Sequence, residues 1–356
     1  NYFEKINMTT LPPWLQKIFN ESYTDKTKFP TALLINGAQG VGKFELANAF
    51  ARKLLCQAAK EDQDCVVCSS CHLFMAGTHP DYHLITNEHS MLDNSHNFIQ
   101  AASRYQLSTE KERSKRKIAK RIISVEQIRD LIGNLSVSAH YGAAKVVIIH
   151  PAEELNINAS NALLKTLEEP TLNTYFFILI KEAYLLPATI RSRCVKLSIP
   201  LPNEEISLDW LCQKLGIERA DAQTLLQLSG NSPFHAHDIH NNEGSMMLKT
   251  LPHDLHLIVR NQIPLAEVIK KWSDNDTRLI LRWLQIEIIN AFRASVGIKS
   301  SETGTLLYRN IGLITCLRIY RKVGLFLTWP VNATDEKLFL ESTIVDLSNN
   351  EFGETP

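Results

Sequence analysis

The sequence predicts an α/β region built on a parallel sheet and followed by an all-helical region, and three observations carry that prediction. Short β-rich apolar runs alternate with helical patterns over the first two hundred residues, as in a sheet covered by helices. A glycine-rich segment, Gly37-Ala38-Gln39-Gly40-Val41-Gly42-Lys43-Phe44, joins one such run to a helical pattern. Beyond Pro200-Leu201-Pro202 only helical periodicities remain.

Candidate strands are Ala32–Ile35, Tyr82–Thr86, Val146–Ile149, Tyr175–Ile180 and Val195–Ile199. Their near-continuous apolar character predicts coverage on both faces. Ser124-Val125-Glu126-Gln127 reads as a capping box opening a helix that sets Ile128, Leu131, Ile132 and Leu135 on one face. A second helix, Ala159–Leu167, ends at Glu168-Glu169-Pro170 because proline cannot continue it. Farther on, Leu208/Leu211/Leu215, Leu225/Leu226/Leu228 and a longer series through Leu279, Trp283, Ile286, Ile289 and Asn290 predict helices. Loops at Gly230-Asn231-Ser232-Pro233 and around Pro252-His253 predict a small helical domain and then a larger one, with boundaries near 201 and 244.

A chain of 356 residues has room for two or three domains. Lysine plus arginine (38) balance aspartate plus glutamate (38), so no global field draws the molecule onto nucleic acid or an anionic membrane. Any nucleic-acid contact is therefore local or shared with partners. Seven cysteines, an odd number, point to metal or packing roles for the thiols and away from a disulfide framework. No apolar run approaches the ~18 residues a spanning helix needs, and Asn1–Thr10 lacks a signal-peptide pattern, so the expected location is cytoplasmic. Met8-Thr9 reads equally as a start, which would leave Asn1–Asn7 as an upstream extension.

Gly37 to Lys43 has the spacing and context of a phosphate-binding loop. Gly37, Gly40 and Gly42 would let backbone amides surround ATP phosphate oxygens at a helix N-terminus, and Lys43 would reach the outer phosphates. The position that should offer a hydroxyl to magnesium is Phe44, which cannot ligate a hard cation. Two readings stand: a degenerate loop that still holds phosphate, or an architectural turn without a ligand. The strand Val146–Ile149 should end in acids that hold magnesium and orient water, but His150-Pro151 follows it and Glu153 and Glu154 lie at the wrong offset. Two independent parts of a hydrolysis machine are missing.

Cys65, Cys68 and Cys71 are spaced by two residues, and Cys56 stands nine positions before Cys65. Four thiolates in a compact insertion suit a closed, structural zinc site. A redox cluster and an iron–sulfur site are the alternatives, and His72 could replace one cysteine. Cys194, Cys212 and Cys316 read as core thiols, and His235, His237 and His240 as residues decorating a helix.

With the glycine loop and the thiols before them, Leu163-Leu164-Lys165-Thr166-Leu167-Glu168-Glu169-Pro170 and Thr189-Ile190-Arg191-Ser192-Arg193-Cys194 complete a specific pattern. From about Leu11 onward the chain resembles the AAA+ clamp-loader subunits of bacterial DNA polymerase III. The resemblance implies an AAA+ P-loop domain over 1–200 with a zinc module at about 56–71, a small helical lid over 201–243 and a helical collar over 244–356. It also implies that Arg193 is an arginine finger supplied in trans to the γ-phosphate of ATP on a neighbour, a task suited to the fixed charge and planar fork of guanidinium. Arg191 is equally charged but is not singled out by the motif. Phe234 takes the place of the second sensing arginine found in active subunits, a third lost ATPase element.

The role implied is a non-hydrolysing stator in a nucleotidyltransferase holoenzyme, helping to load the sliding clamp onto primed DNA. The implied partners are gamma/tau-type ATPase subunits and the delta subunit, with indirect contact to the clamp and primer-template DNA and none to a membrane. Two alternatives are an ATP-hydrolysing motor subunit, opposed by Phe44, His150 and Phe234, and a zinc-dependent DNA-binding protein, opposed by the zero net charge. The stretch Glu88–Arg121, longer than the resemblance leads one to expect, carries Lys111, Arg113, Lys115, Arg116, Lys117, Lys120 and Arg121. It reads as a solvated segment or as a DNA-backbone contact.

Overall fold

The computed structural model describes residues 11–23, 28–58, 65, 67–93, 96–107, 120–141, 144–241, 245–329 and 335–348. Lys111, Arg113, Lys115, Arg116 and Lys117 of the basic run, and Asn1–Asn7, lie outside the described residues. Two compact units are present, one reaching to Trp210 and one starting at Leu211.

Five parallel strands form the first unit's sheet: β1 (Ala32–Asn36), β2 (Tyr82–Ile85), β3 (Lys145–Ile149), β4 (Thr174–Ile180) and β5 (Val195–Ser198), in the order β2-β3-β4-β1-β5. All five expected strands are there. Their register pairs Leu34 with Ile178 and Val147 with Phe176. β3 and β4 are buried along their whole length, as continuous apolar strands should be. The same expectation fails for β5, where Val195, Lys196 and Ser198 are exposed. It is the sheet's edge, paired only with β1, and apolar composition does not report a strand's position in a sheet.

Helices α1 (Pro13–Ser22), α2 (Lys43–Leu55), α3 (Ser69–Met75), α4 (Glu88–Asp93), α5 (His96–Ser103), α6 (Val125–Leu135), α7 (Ile157–Glu168) and α8 (Ala188–Arg191) complete this unit among the described residues. At the start of α6, Ser124 N–H donates to Gln127 Oε1 at 3.0 Å, one half of the expected capping box. Asn156 caps α7 by accepting from Ala159 N–H at 2.7 Å, so the helix opens two residues before the expected Ala159. Ile128, Leu131, Leu163 and Leu167 bury against Leu34, Val147, Ile149, Phe176 and Ile178. Each such side chain contributes roughly 1.5 to 3 kcal/mol by leaving water.

After β5 the described residues form helices only: α9 (Glu204–Leu215), α10 (Arg219–Leu228), α11 (Pro233–Ile239), α12 (Ser245–Val259), α13 (Leu265–Ser273), α14 (Thr277–Ser295), α15 (Glu302–Ile311), α16 (Leu313–Thr328) and α17 (Glu336–Ser348). Two expectations are corrected here. Pro252 lies inside α12 instead of marking a loop. Burial of Leu251, Leu255, Ile258 and Val259 outweighs the roughly 3 kcal/mol a mid-helix proline costs. In α14 the buried positions are Thr277, Leu279, Ile280, Leu281, Trp283, Leu284, Glu287, Ile288 and Ala291, so the expected Leu279 and Trp283 are in the core, while Ile286 and Asn290 are half-buried and Ile289 is exposed. That helix is apolar on more than one side, so the expected series holds over its first half and then drifts off the buried stripe. Among the described residues no helix is long and apolar enough to cross a membrane.

Candidate functional site

The carboxyl ends of β1, β3 and β4 share one edge of the sheet, where open α/β sheets place their ligands. The glycine loop leaves β1 there and becomes α2. Gly42 sits at φ 102° and forms the N-cap, a conformation side-chain-bearing residues avoid. At Gly37 a Cβ would lie 2.7 Å from Ile199 O, so the backbone just past β5 approaches too closely for any other residue. Lys43 turns back on its own loop, donating from Nζ to Gly37 O at 2.7 Å and Ala38 O at 2.8 Å. Burial lowers its pKa to about 8, against the opposing pull of Glu153 and Glu45. From α1, Trp14 Nε1–H donates to Val41 O at 3.0 Å, and its ring meets Trp210 edge-on at 5.5 Å.

The two positions singled out as lost magnesium ligands meet in space. The Phe44 ring lies 5.9 Å from the His150 ring and 5.6 Å, edge to face, from Phe98. His150 N–H donates to Ile85 O at 2.9 Å, fixing the residue at the strand end, while its buried Nδ1 has no partner. Burial, with Lys43 nearby, pushes the imidazole down to about 4, so it is neutral at pH 7. Glu153, on the short 3₁₀ turn Ala152–Glu154 after β3, keeps a buried Oε2 without a hydrogen bond and acts on Lys43 through its charge. Burial raises the pKa of Glu154, and Glu153 adds to the rise.

Cys56, Cys65, Cys68 and Cys71 converge, with their sulfurs all within 4.8 Å of one another. Cys56 follows α2, and Cys68 caps α3 by accepting from Cys71 N–H at 3.4 Å. Four thiolates around a tetrahedral zinc stand about 3.8 Å apart, given Zn–S bonds near 2.3 Å. The Cys56–Cys68 separation is 3.9 Å, so the donor set fits such an ion. Burial opposes ionisation of Cys68, yet the Cys71 and Gln57 amides and the neighbouring thiols bring it down to about 6. Cys71 moves strongly upward, through burial and then through Cys68 and Cys56. One polar relay ties the cluster to the fold: Asp81 N–H donates to His79 Nδ1, which assigns the ring proton to Nε2 facing Ser70 Oγ, and Ser70 donates to Leu55 O at 2.7 Å. His72 is not among the converging ligands.

Arg193 follows α8, which packs against α7. Its Nε donates to Glu168 Oε1 at 2.6 Å and its Nη2 bonds the same oxygen, while Nη1 donates to Thr189 O at 2.6 Å and Ser192 Oγ at 3.3 Å. Arg191 differs, having a buried Nε with no partner. Phe234 is buried in α11 and offers no charge to a phosphate. Trp14, Lys181 and Glu168 acquired no role from sequence reasoning. Trp14 and Glu168 act on residues 27 and 25 positions away, and Lys181 lowers the Lys43 pKa from the end of β4. No local signal reports such contacts.

The family model for "DNA polymerase III, delta subunit" matches residues 13–203. DNA polymerase III subunit delta' of Pseudomonas aeruginosa is 32% identical over 277 residues, 78% of this chain and 75% of the relative. The delta' subunit of Yersinia pestis is 31% identical over 75% of this chain and 71% of its own. Among solved structures, a DNA polymerase III gamma subunit-related protein of Thermotoga maritima aligns with 95% of this chain and 99% of its own at a TM-score of 0.43 and 14% identity. The matched span takes in the glycine loop, the converging thiols and the Arg193 turn together, and the chain belongs to the DNA polymerase III delta-prime subunit family.

Proposed function

We propose that the chain is a non-hydrolysing stator of the polymerase III clamp loader, made of an AAA+ domain with a zinc module, a lid over 201–243 and a collar over 244–356. The observation that carries this reading is the contact of Phe44 with His150 at the mouth of the glycine loop. Magnesium needs oxygen ligands there, and two rings, one of them a neutral imidazole, supply none. Lys43, bonded to its own loop, supports the same conclusion. Gly37, Gly40, Gly42 and Lys43 thus keep the loop's shape while the metal-dependent step is lost.

Arg193 is the residue we assign to chemistry, as a finger reaching the γ-phosphate of ATP on a gamma/tau-type neighbour. An arginine in trans stabilises charge on the transferring phosphoryl group without any nucleotide of its own. Zinc is the ion we assign to Cys56, Cys65, Cys68 and Cys71, where it would hold the insertion and catalyse nothing. The delta subunit completes the assembly that acts on the clamp and primed DNA. Reconstitution tests the reading. A complex carrying Arg193→Ala should assemble with its zinc yet hydrolyse ATP and load clamps more slowly, and an unchanged rate would remove the finger.

A further inference from the structure

A guanidinium has five N–H donors, and in this chain four of those on Arg193 are committed. Nε and Nη2 each give one to Glu168 Oε1, and Nη1 gives one to Thr189 O and one to Ser192 Oγ. One N–H on Nη2 remains, whereas a forked contact to two phosphate oxygens needs two. The carboxylate also cancels much of the positive charge that a finger brings to a phosphoryl group. As the pair stands, Arg193 is not free to act.

We infer that Glu168 is a positioning residue that holds Arg193 in reserve, and that the finger is delivered by anion exchange, a neighbour's γ-phosphate replacing the Glu168 carboxylate. This rests on the finger reading of Arg193. The geometry suits a reversible hold. Glu168 is the last residue of α7 and Arg193 lies just past α8, so two packed helices bring the partners together and fix where the arm starts. The bond to Thr189 O is to backbone and survives any change at Glu168. Side-chain exposure is 31% for Arg193 and 48% for Glu168, so water can take over the carboxylate when the arginine leaves. A buried pair would lock, whereas this one opens at small expense.

The test is steady-state ATP hydrolysis by the full complex, fitted to kcat and KM, with this chain as wild type, Glu168→Gln, Arg193→Ala and the double variant. Glu168→Gln keeps the side chain's shape but removes its charge, and Glu168→Ala serves if the glutamine variant fails to assemble. The expected result is a rise in kcat/KM of roughly two- to five-fold, the range a partly exposed ion pair allows. That rise vanishes when Arg193 is alanine. A residue with a merely structural role would not raise the rate, nor depend on Arg193. If Arg193→Ala slows the complex while Glu168→Gln lowers the rate or leaves it unchanged, the finger stands and the reserve is overturned. A rise that persists without Arg193 also overturns it, and Arg193→Ala without effect removes finger and reserve together.

Discussion

The glycine loop and the Arg193 turn belong to one parallel sheet, yet they have kept opposite things. Around the loop the backbone features persist: Gly42 at φ 102°, Gly37 against Ile199 O, and Lys43 folded onto the carbonyls of Gly37 and Ala38. Where magnesium would need oxygen ligands, Phe44 and His150 stand in ring contact. At Arg193 the proposed finger is one side chain on a short turn, held by a bond to Glu168. The contrast teaches that packing and catalysis make demands on different residues. Glycines that let strands and loops approach stay for the fold's sake, so a recognisable loop is weak evidence of turnover.

The largest effect should come from breaking the chemically active side. A finger arginine is worth about 10³- to 10⁵-fold at the interface it serves, so Arg193→Ala should abolish that interface's share of the complex's hydrolysis. Arg193→Lys should rescue little, since ammonium is a point charge without the planar fork. Arg191→Ala should do much less, and an equal loss at Arg191 would show that the turn, not one arginine, is being read.

Next in size is the thiol cluster. Cys68→Ser should release the proposed zinc and unfold the insertion, because metal binding there would be local folding energy of several kcal/mol. The sheet, whose core lies elsewhere, should survive, with proteolytic cleavage confined to residues near 56–75. Elemental analysis that finds no zinc in the wild type, or an iron chromophore, would contradict the assignment.

A smaller effect concerns acid stability. His83 is buried with Nδ1 2.6 Å from Tyr105 Oη, and burial, then Arg104, lowers its pKa from 6.5 to about 4. The unfolded chain therefore binds the proton first as the pH falls. Stability should be intact above pH 6.5 and decline toward pH 4, by up to roughly 3 kcal/mol from this group. Urea midpoints against pH should show the decline, and His83→Asn should make it shallower without removing it, because burial lowers His150 and His79 to about 4 as well. The smallest effect is expected at Phe44→Thr, which restores a hydroxyl but leaves His150 at the strand end, so ATP turnover by the chain should not appear.

Much of the sheet was legible in the sequence because buried parallel strands are continuous apolar runs, and Tyr175–Ile180 is one throughout. The thiols were legible from spacing alone. Less visible was anything that depended on which side of an element faces its neighbour. β5 read as covered though it is an edge, Pro252 read as a loop though burial keeps it helical, and α14 buries the expected Leu279 and Trp283 but leaves Ile289 exposed. The Arg193 turn was found by its motif, but Glu168 is 25 residues away and only the packing of α7 against α8 brings it there.

On the proposed function this chain lends an arginine to hydrolysis and performs none. ATP hydrolysis by the purified chain alone, at saturating magnesium and ATP, tests it most directly. No turnover above that of buffer is expected, because neither Phe44 nor His150 can hold the metal. Steady turnover that disappears on Lys43→Ala would overturn that reading, placing a working ATPase at the glycine loop.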